Sequence, residues 1–302
     1  MKVSVQICSR NREDLLKRSL LALFNQKFPK NDYEIIVVDD GSEDGTSAMV
    51  SSLIEDAPCK LRIITQGHDG LSIGRNRGIK TAVGEYVLFI DDDIIADENL
   101  ISEHLRFHEM YPRSVVKGWV NHTSELDSIK VPKFTMADIS TAFFWTSNVS
   151  VSRRYLLNVG LFDEDFREYG WEDLELGLRL KAIGLTSRYN KKAVVFHYKS
   201  KWKKADIPRL IEQAKAKGRT AVIFMAKHPT LRVRLATGIL ASRFFFNDLL
   251  NFNGRGIDFC EKVITAQDDR ELSGAPLLCA KNLISFYYFD EIRKHLVSGG
   301  RS

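Results

Sequence analysis

The sequence predicts an α/β fold: a Rossmann-like, mostly parallel central sheet flanked by helices, with a helical C-terminal extension. Up to residue 197, short β-branched or continuous apolar runs alternate with segments of helical period, the rhythm of βαβ units. From about residue 205 the period is helical only. Of the 302 residues, 44% are hydrophobic and 27% charged, which excludes disordered, collagen-like and small disulfide-bonded chains.

Residues 2–8 alternate, with β-branched Val3, Val5 and Ile7, and form the first strand. Leu16, Leu20, Leu23 and Phe24 then share one helical face. Residues 34–38 are a near-continuous apolar run, as in a buried parallel strand, stopping at Asp39-Asp40-Gly41-Ser42. A helix over 46–54, a strand over 61–65, a helix over 72–83 ended by Gly84, and a strand over 85–90 running into Asp91-Asp92-Asp93 follow. A helix from Asp97 to about Tyr111, a strand over 115–120 and strands within 139–151 come next. Gly170-Trp171-Glu172-Asp173 opens a helix carrying Leu174, Leu178 and Leu180, and residues 193–196 form a last strand ending at His197. The polar KSKWKK connector marks the boundary between a catalytic-type domain, 1–204, and a helical extension, 205–302.

Cys8, Cys59, Cys260 and Cys279 are scattered without a C-x-x-C pair, which points to thiols in a reducing compartment. The N-terminus turns charged too early for a secretory signal. The most apolar late stretch carries Arg232, Arg234, Arg243 and Asp248, which excludes a spanning helix. A cytoplasmic protein is therefore expected, and the sequons at Asn121 and Asn148 carry no meaning. Residues 199–234 hold eleven Lys or Arg against Asp206 and Glu212, a local balance of +9 within an overall +5. That block is either a peripheral contact with an anionic membrane or the solvated face of a helix bundle. No nucleic-acid motif supports a third use.

In open α/β sheets ligands bind beyond the carboxyl ends of the strands. Those ends carry Cys8-Ser9-Arg10, Asp39-Asp40-Gly41-Ser42, Asp91-Asp92-Asp93 and His197. The first turn lacks G-x-G-x-x-G, and neither a P-loop nor a G-x-S-x-G elbow is present. Three adjacent aspartates repel one another. A divalent cation resolves that conflict, with oxygen ligands suiting Mg²⁺ or Mn²⁺; a solvated acidic turn capping the next helix is the alternative. Asp91 and Asp93 point to one side of an extended segment.

The segments VSVQICSRNRE, EIIVVDDGSEDGT and GLSIGRNRGIKTAVGEYVLFIDDDI resemble the family 2 glycosyltransferases of GT-A fold. GLFDEDFREYGWEDLELGLRL followed by VVFHY is similar to the G-W-E-D acceptor motif of galactosyltransferases and chondroitin polymerases. The resemblance covers about residues 1–200, with four motifs in register.

It implies transfer of a sugar from a nucleotide-diphosphate donor, most simply UDP-linked, to a hydroxyl of a carbohydrate or glycoconjugate acceptor. Cys8, Ser9 and Arg10 would line the nucleotide, Asp40 would accept from the base, and Asp39 would cap local backbone donors. Arg75 would approach the ribose or diphosphate, unless it forms a surface salt bridge. Asp93 resembles the direct metal ligand of a D-x-D pair, with Asp91 or Asp92 toward the metal, ribose or water. His197 falls where metal-dependent relatives carry a histidine ligand for Mn²⁺ or Mg²⁺. Asp173 matches the position of a general base, Glu172 would bind acceptor hydroxyls or share that role, and Trp171 is either a sugar-stacking platform or a core residue. Thr146-Ser147-Asn148 would border the donor sugar. An inverting reaction is expected; a retaining transferase and a nucleotide-sugar-binding subunit without its own activity are the alternatives.

Overall fold

In a computed structural model, which describes residues 1–126 and 140–299, eight strands form one mixed sheet. They are β1 (Val3–Ser9), β2 (Tyr33–Asp40), β3 (Lys60–Gln66), β4 (Tyr86–Ile90), β5 (Ile94–Ala96), β6 (Ser114–Thr123), β7 (Asn148–Ser152) and β8 (Thr186–Tyr198). Their order is β3-β2-β1-β4-β7-β6-β8-β5. The β3-β2-β1-β4 half is parallel throughout, β6 and β8 are also parallel, and β7 and β5 run antiparallel to their neighbours.

The alternation of β2 shows why helices cover both faces. Ile35 and Val37 join one core with Leu16, Leu20 and Leu23 of α1 (Glu13–Phe24) and Leu100 and Ile101 of α4 (Leu100–Met110). Ile36 and Val38 join the opposite core with Ile79 of α3 (Leu71–Thr81) and Leu176 and Leu180 of α6 (Glu172–Ala182). A strand covered on both sides must be apolar at consecutive positions. Helix α2 (Thr46–Ser52) contributes Met49 and Val50 to the first core.

Several elements depart from the sequence expectation. Strand β2 runs on through Asp39 and Asp40, both buried. Strand β5 was not anticipated, because three residues carry no readable period. Between 139 and 151 a single strand, β7, is present; Ile139 lies outside the described residues. The short helix α5 (Arg153–Asn158) also went unread. Strand β8 is thirteen residues long rather than four, with a register shift opposite Gly118 and Trp119 that its charged Lys191 and Lys192 disguise.

Contacts divide the chain into two units, residues 1–167 with 172–199 and residues 168–171 with 200–302. The second unit consists of α7 (Ile207–Lys227), α8 (Leu231–Thr237), α9 (Ala241–Asn251), α10 (Arg255–Thr265) and α11 (Gly274–Gly299). Helices α7 and α11 approach closely at Gly218, where a Cβ would lie 2.7 Å from the Tyr288 carbonyl oxygen. Ile207, Ile257, Cys260, Ile264 and Leu283 form its core. All four cysteines are free. Among the described residues, no helix is long and apolar enough to cross a membrane.

Candidate active site

The acidic run sits where β4 leaves the sheet. Asp91, Asp92 and Asp93 follow Ile90, and the chain then re-enters as β5, which pairs Ile94 with His197 of β8. The Tyr198 amide donates to the Asp93 carbonyl at 2.9 Å. This register carries His197 to Asp93: Nε2 lies 2.9 Å from Asp93 Oδ1 and 4.0 Å from Asp91 Oδ2. One ligand atom from each of the three side chains falls within 4.8 Å of the others.

Asp92 turns away from the cluster. Its Oδ2 accepts from Ser9 Oγ at 2.7 Å, and its carbonyl accepts from Ser19 Oγ at 2.9 Å. Asp91 accepts from the Ser147 hydroxyl. Burial pushes the Asp92 carboxyl up to about 6 and raises that of Asp91. Burial would lower His197, but the Asp93 and Asp91 carboxylates outweigh it and hold the imidazole above its ordinary value.

The donor set fits a hard or borderline divalent ion. Asp93 Oδ1 is buried with no donor aligned on it despite the nearby imidazole, and His197 Nδ1 is likewise buried without a hydrogen bond. Asp91, Asp93 and His197 bring two carboxylates and an imidazole within 4.8 Å of one another, the oxygen and nitrogen donors that such a cation takes.

The other strand ends close around the same space. Asp39 accepts from the Ser42 amide at 3.1 Å and from the Ser42 and Ser47 hydroxyls, holding the loop as expected. Asp40 Oδ1 accepts from Gln66 Nε2 at 2.6 Å and the Gly70 amide at 3.2 Å, while Oδ2 lies 3.3 Å from His68 Nδ1. Gly70 has φ +97° and passes so near Arg167 that a Cβ would sit 2.3 Å from its carbonyl oxygen. Burial drives the Cys8 thiol up to about 12, with Arg75 opposing and Asp40, Asp92 and Asp91 reinforcing the shift. Those side chains therefore share one electrostatic environment. Arg10 instead extends outward to His68 Nε2 at 2.8 Å.

Arg75 is buried, not at the surface. Nη1 donates to Glu172 Oε1 at 2.6 Å and Nη2 to Thr146 Oγ1 at 2.9 Å. Its guanidinium also lies 5.3 Å from the Phe162 ring centroid. Asp173, the next residue on α6, is buried and accepts from the Leu174 amide at 2.7 Å. Burial and the Glu172 charge push its carboxyl up to about 7, against the pull of Arg75.

The structure thus gathers Asp91, Asp93 and His197, ties Ser9 to Asp92, and joins Arg75 to Glu172. Trp171 belongs to the second unit: its ring stacks on Phe224 at 6.0 Å, its Nε1 donates to the Lys217 carbonyl at 3.0 Å, and Lys217 Nζ lies 4.8 Å over it. Two residues went unread in the sequence. His122 faces His197 across the β6–β8 register, ring centroids 5.3 Å apart; following β6 beyond Val120 would have found it. His68 meets Asp40 from a loop with no periodic signal.

A family model described as Glycosyl transferase family 2 matches residues 4–157. The chain is 31% identical over 255 residues to the uncharacterized glycosyltransferase YfnE of Bacillus subtilis, covering 65% of this chain and 64% of that protein. It spans about half to two-thirds of the length of the curated relatives it matches first. In fold it resembles mannosyltransferase PcManGT from Pyrobaculum calidifontis in complex with GDP-Man and Mn²⁺, with TM-score 0.64, 17% identity and 98% and 87% of the two chains covered. It also resembles S. aureus TarS in complex with UDP, with TM-score 0.56, 19% identity and 99% and 92% covered. The architecture is therefore a GT-A fold with a helical C-terminal region.

Proposed function

The chain belongs to glycosyl transferase family 2, and from that premise we propose that it moves a sugar from a nucleotide-diphosphate donor, read as UDP-linked, to a carbohydrate or glycoconjugate hydroxyl with inversion. The observation that carries this reading is the convergence of Asp91, Asp93 and His197 at the ends of β4 and β8. These three residues would hold Mn²⁺ or Mg²⁺, and such an ion, when bound, offsets the negative charge of a departing diphosphate.

The chain's own residues divide the remaining work. Asp40 accepts from an N–H of the base, while Cys8, Ser9 and Arg10 border the nucleotide. Ser9 and Asp92, hydrogen-bonded at 2.7 Å, keep the strand-1 loop against the acidic run. Arg75 holds Glu172 and Thr146 in fixed positions, so that Glu172 serves the acceptor hydroxyls and Thr146 and Ser147 border the donor sugar, while Asn148 supports them from within the sheet. Asp173 takes the proton of the attacking hydroxyl; a carboxyl raised to about 7 is a far stronger base than an exposed aspartate.

Relatives in fold that bind GDP-Man with Mn²⁺ and UDP support a nucleotide-sugar donor. The test is consumption of UDP- and GDP-sugars by the purified chain with Mn²⁺, Mg²⁺ or chelator, with the product anomer assigned by NMR. Metal-dependent consumption and an inverted product are expected. Tight nucleotide binding without turnover on any donor and acceptor would instead indicate a binding subunit, and a retained anomer would remove Asp173 as the base of a direct displacement.

A further inference from the structure

Helix α9 is amphipathic in the opposite sense to a water-facing helix. Its two fully buried positions are polar: Asn247 and Asn251 are 6% and 2% exposed, with the half-buried Phe244 packed on Phe289. Asn251 Nδ2 donates to the Asn247 carbonyl at 2.7 Å, and its Oδ1 accepts from Asn282 Nδ2 at 3.0 Å. Its outward positions are apolar: Phe245, Phe246, Leu249 and Leu250 are 63%, 58%, 57% and 67% exposed. Spacing of i, i+1, i+4 and i+5 places all four on one side of the helix. An ordinary surface helix buries such a stripe, and a contiguous apolar patch left outside marks an interaction site. On α8, Leu231 and Leu235 repeat the pattern at i and i+4, with Val233 buried.

The charge around this face identifies its occupant. Arg232, Arg234, Arg243 and Arg255, on and flanking α8 and α9, are exposed, whereas the one acid between residues 231 and 255, Asp248, is engaged by Arg293 at 2.9 Å. In the 199–234 block, whose charge alone suggested a membrane contact, four of the eleven basic residues are engaged by acids of their own unit. Lys201 pairs with Glu271, Arg209 with Asp206, Lys215 with Glu212, and Arg219 with Glu168 and Glu291. Helix α9 has 11 residues, a length of about 16 Å, and so is suited to lie along a bilayer surface, not to cross it.

We propose that α9 lies in the boundary between headgroups and acyl chains of an anionic bilayer. Phe245, Phe246, Leu249 and Leu250 enter the apolar layer, and the four arginines meet anionic headgroups. A second copy of the chain is the less favourable occupant, since it would bring like-charged arginines together. This inference concerns the second unit and does not rest on the sugar-transfer reading.

Sedimentation of the full chain with vesicles of phosphatidylcholine, with and without 30% phosphatidylglycerol, tests it, in the absence of donor and acceptor. Binding to the anionic vesicles is expected, with a loss of more than about tenfold for Phe246→Glu/Leu250→Glu. Arg243→Gln should weaken binding by about fivefold on anionic vesicles only. Because both apolar side chains are exposed, the double variant should keep the wild-type melting temperature and any donor-consuming activity in solution. Absence of binding to anionic vesicles, or binding unchanged in the double variant, would overturn the proposal. So would a concentration-dependent dimer that the double variant dissolves, which would assign the face to a second copy.

Discussion

Arg75 and Glu172, ninety-seven residues apart in the chain, meet through a 2.6 Å hydrogen bond between two buried side chains. The pair joins α3 to the first turn of α6, and thereby connects the donor-side and acceptor-side halves of the proposed site. Its worth is revealed by removing one partner, because an uncompensated buried charge costs more than the pair contributes.

Arg75→Met should therefore destabilise the full chain by about 3–5 kcal/mol, read by urea unfolding. Adding Glu172→Gln should restore a large part of that loss, since no charge is then left unpaired. Equal losses in the single and double variants would show that the guanidinium acts through packing on Phe162 instead.

Asp173 predicts a trade between turnover and stability. As the base it must be ionised, so the transfer rate should fall as pH drops through about 7. The stability sign is the reverse. A carboxyl whose folded pKa is raised from 3.8 to about 7 gives stability that is complete below the unfolded value and lost as pH rises through the folded one. Asp173→Asn should thus lower turnover by at least about 100-fold, leave nucleotide affinity unchanged, and raise the melting temperature at pH 8. Undiminished turnover would move the base to Glu172 or beyond.

Asn148 predicts a purely structural loss. Its Nδ2 donates to the Trp119 and Ala193 carbonyls at 3.2 and 3.0 Å, across the register shift of β6 and β8, and its Oδ1 accepts from His104 Nε2 at 2.8 Å. Gly118 makes room for it: a Cβ there would lie 2.3 Å from Asn148 Nδ2. Burial pushes His104 down to about 4, so it remains a neutral partner. Asn148→Leu should cost at least about 2 kcal/mol in urea unfolding, because each orphaned buried group costs about 1–3 kcal/mol. A near-neutral change would mean that the bulge is held by the strands alone.

How much of this was legible follows from how local each signal is. The apolar runs of β1, β2 and β4 and the helical face Leu16-Leu20-Leu23 are periodic, and the fold followed from them. The acidic run and His197 stood out as polar residues at the ends of apolar strands. Their adjacency was legible only through the family resemblance, not through any local pattern, because it depends on β5, a three-residue strand without a period of its own, pairing with β8. Arg75 was legible as a site residue through its motif, but its burial was not, since the residue that compensates it lies on another helix. The basic block was legible as charge; its ion pairs, and the outward apolar face of α9, require the packing of helices whose contacts no local pattern encodes.

The most direct measurement is calorimetric titration of UDP into the wild-type chain and Asp93→Ala, each with Mn²⁺ and with chelator. If Asp91, Asp93 and His197 hold the cation, Mn²⁺ should tighten UDP binding to the wild type and make no difference to Asp93→Ala. The same Mn²⁺ enhancement in both proteins would contradict the metal site and the mechanism proposed around it.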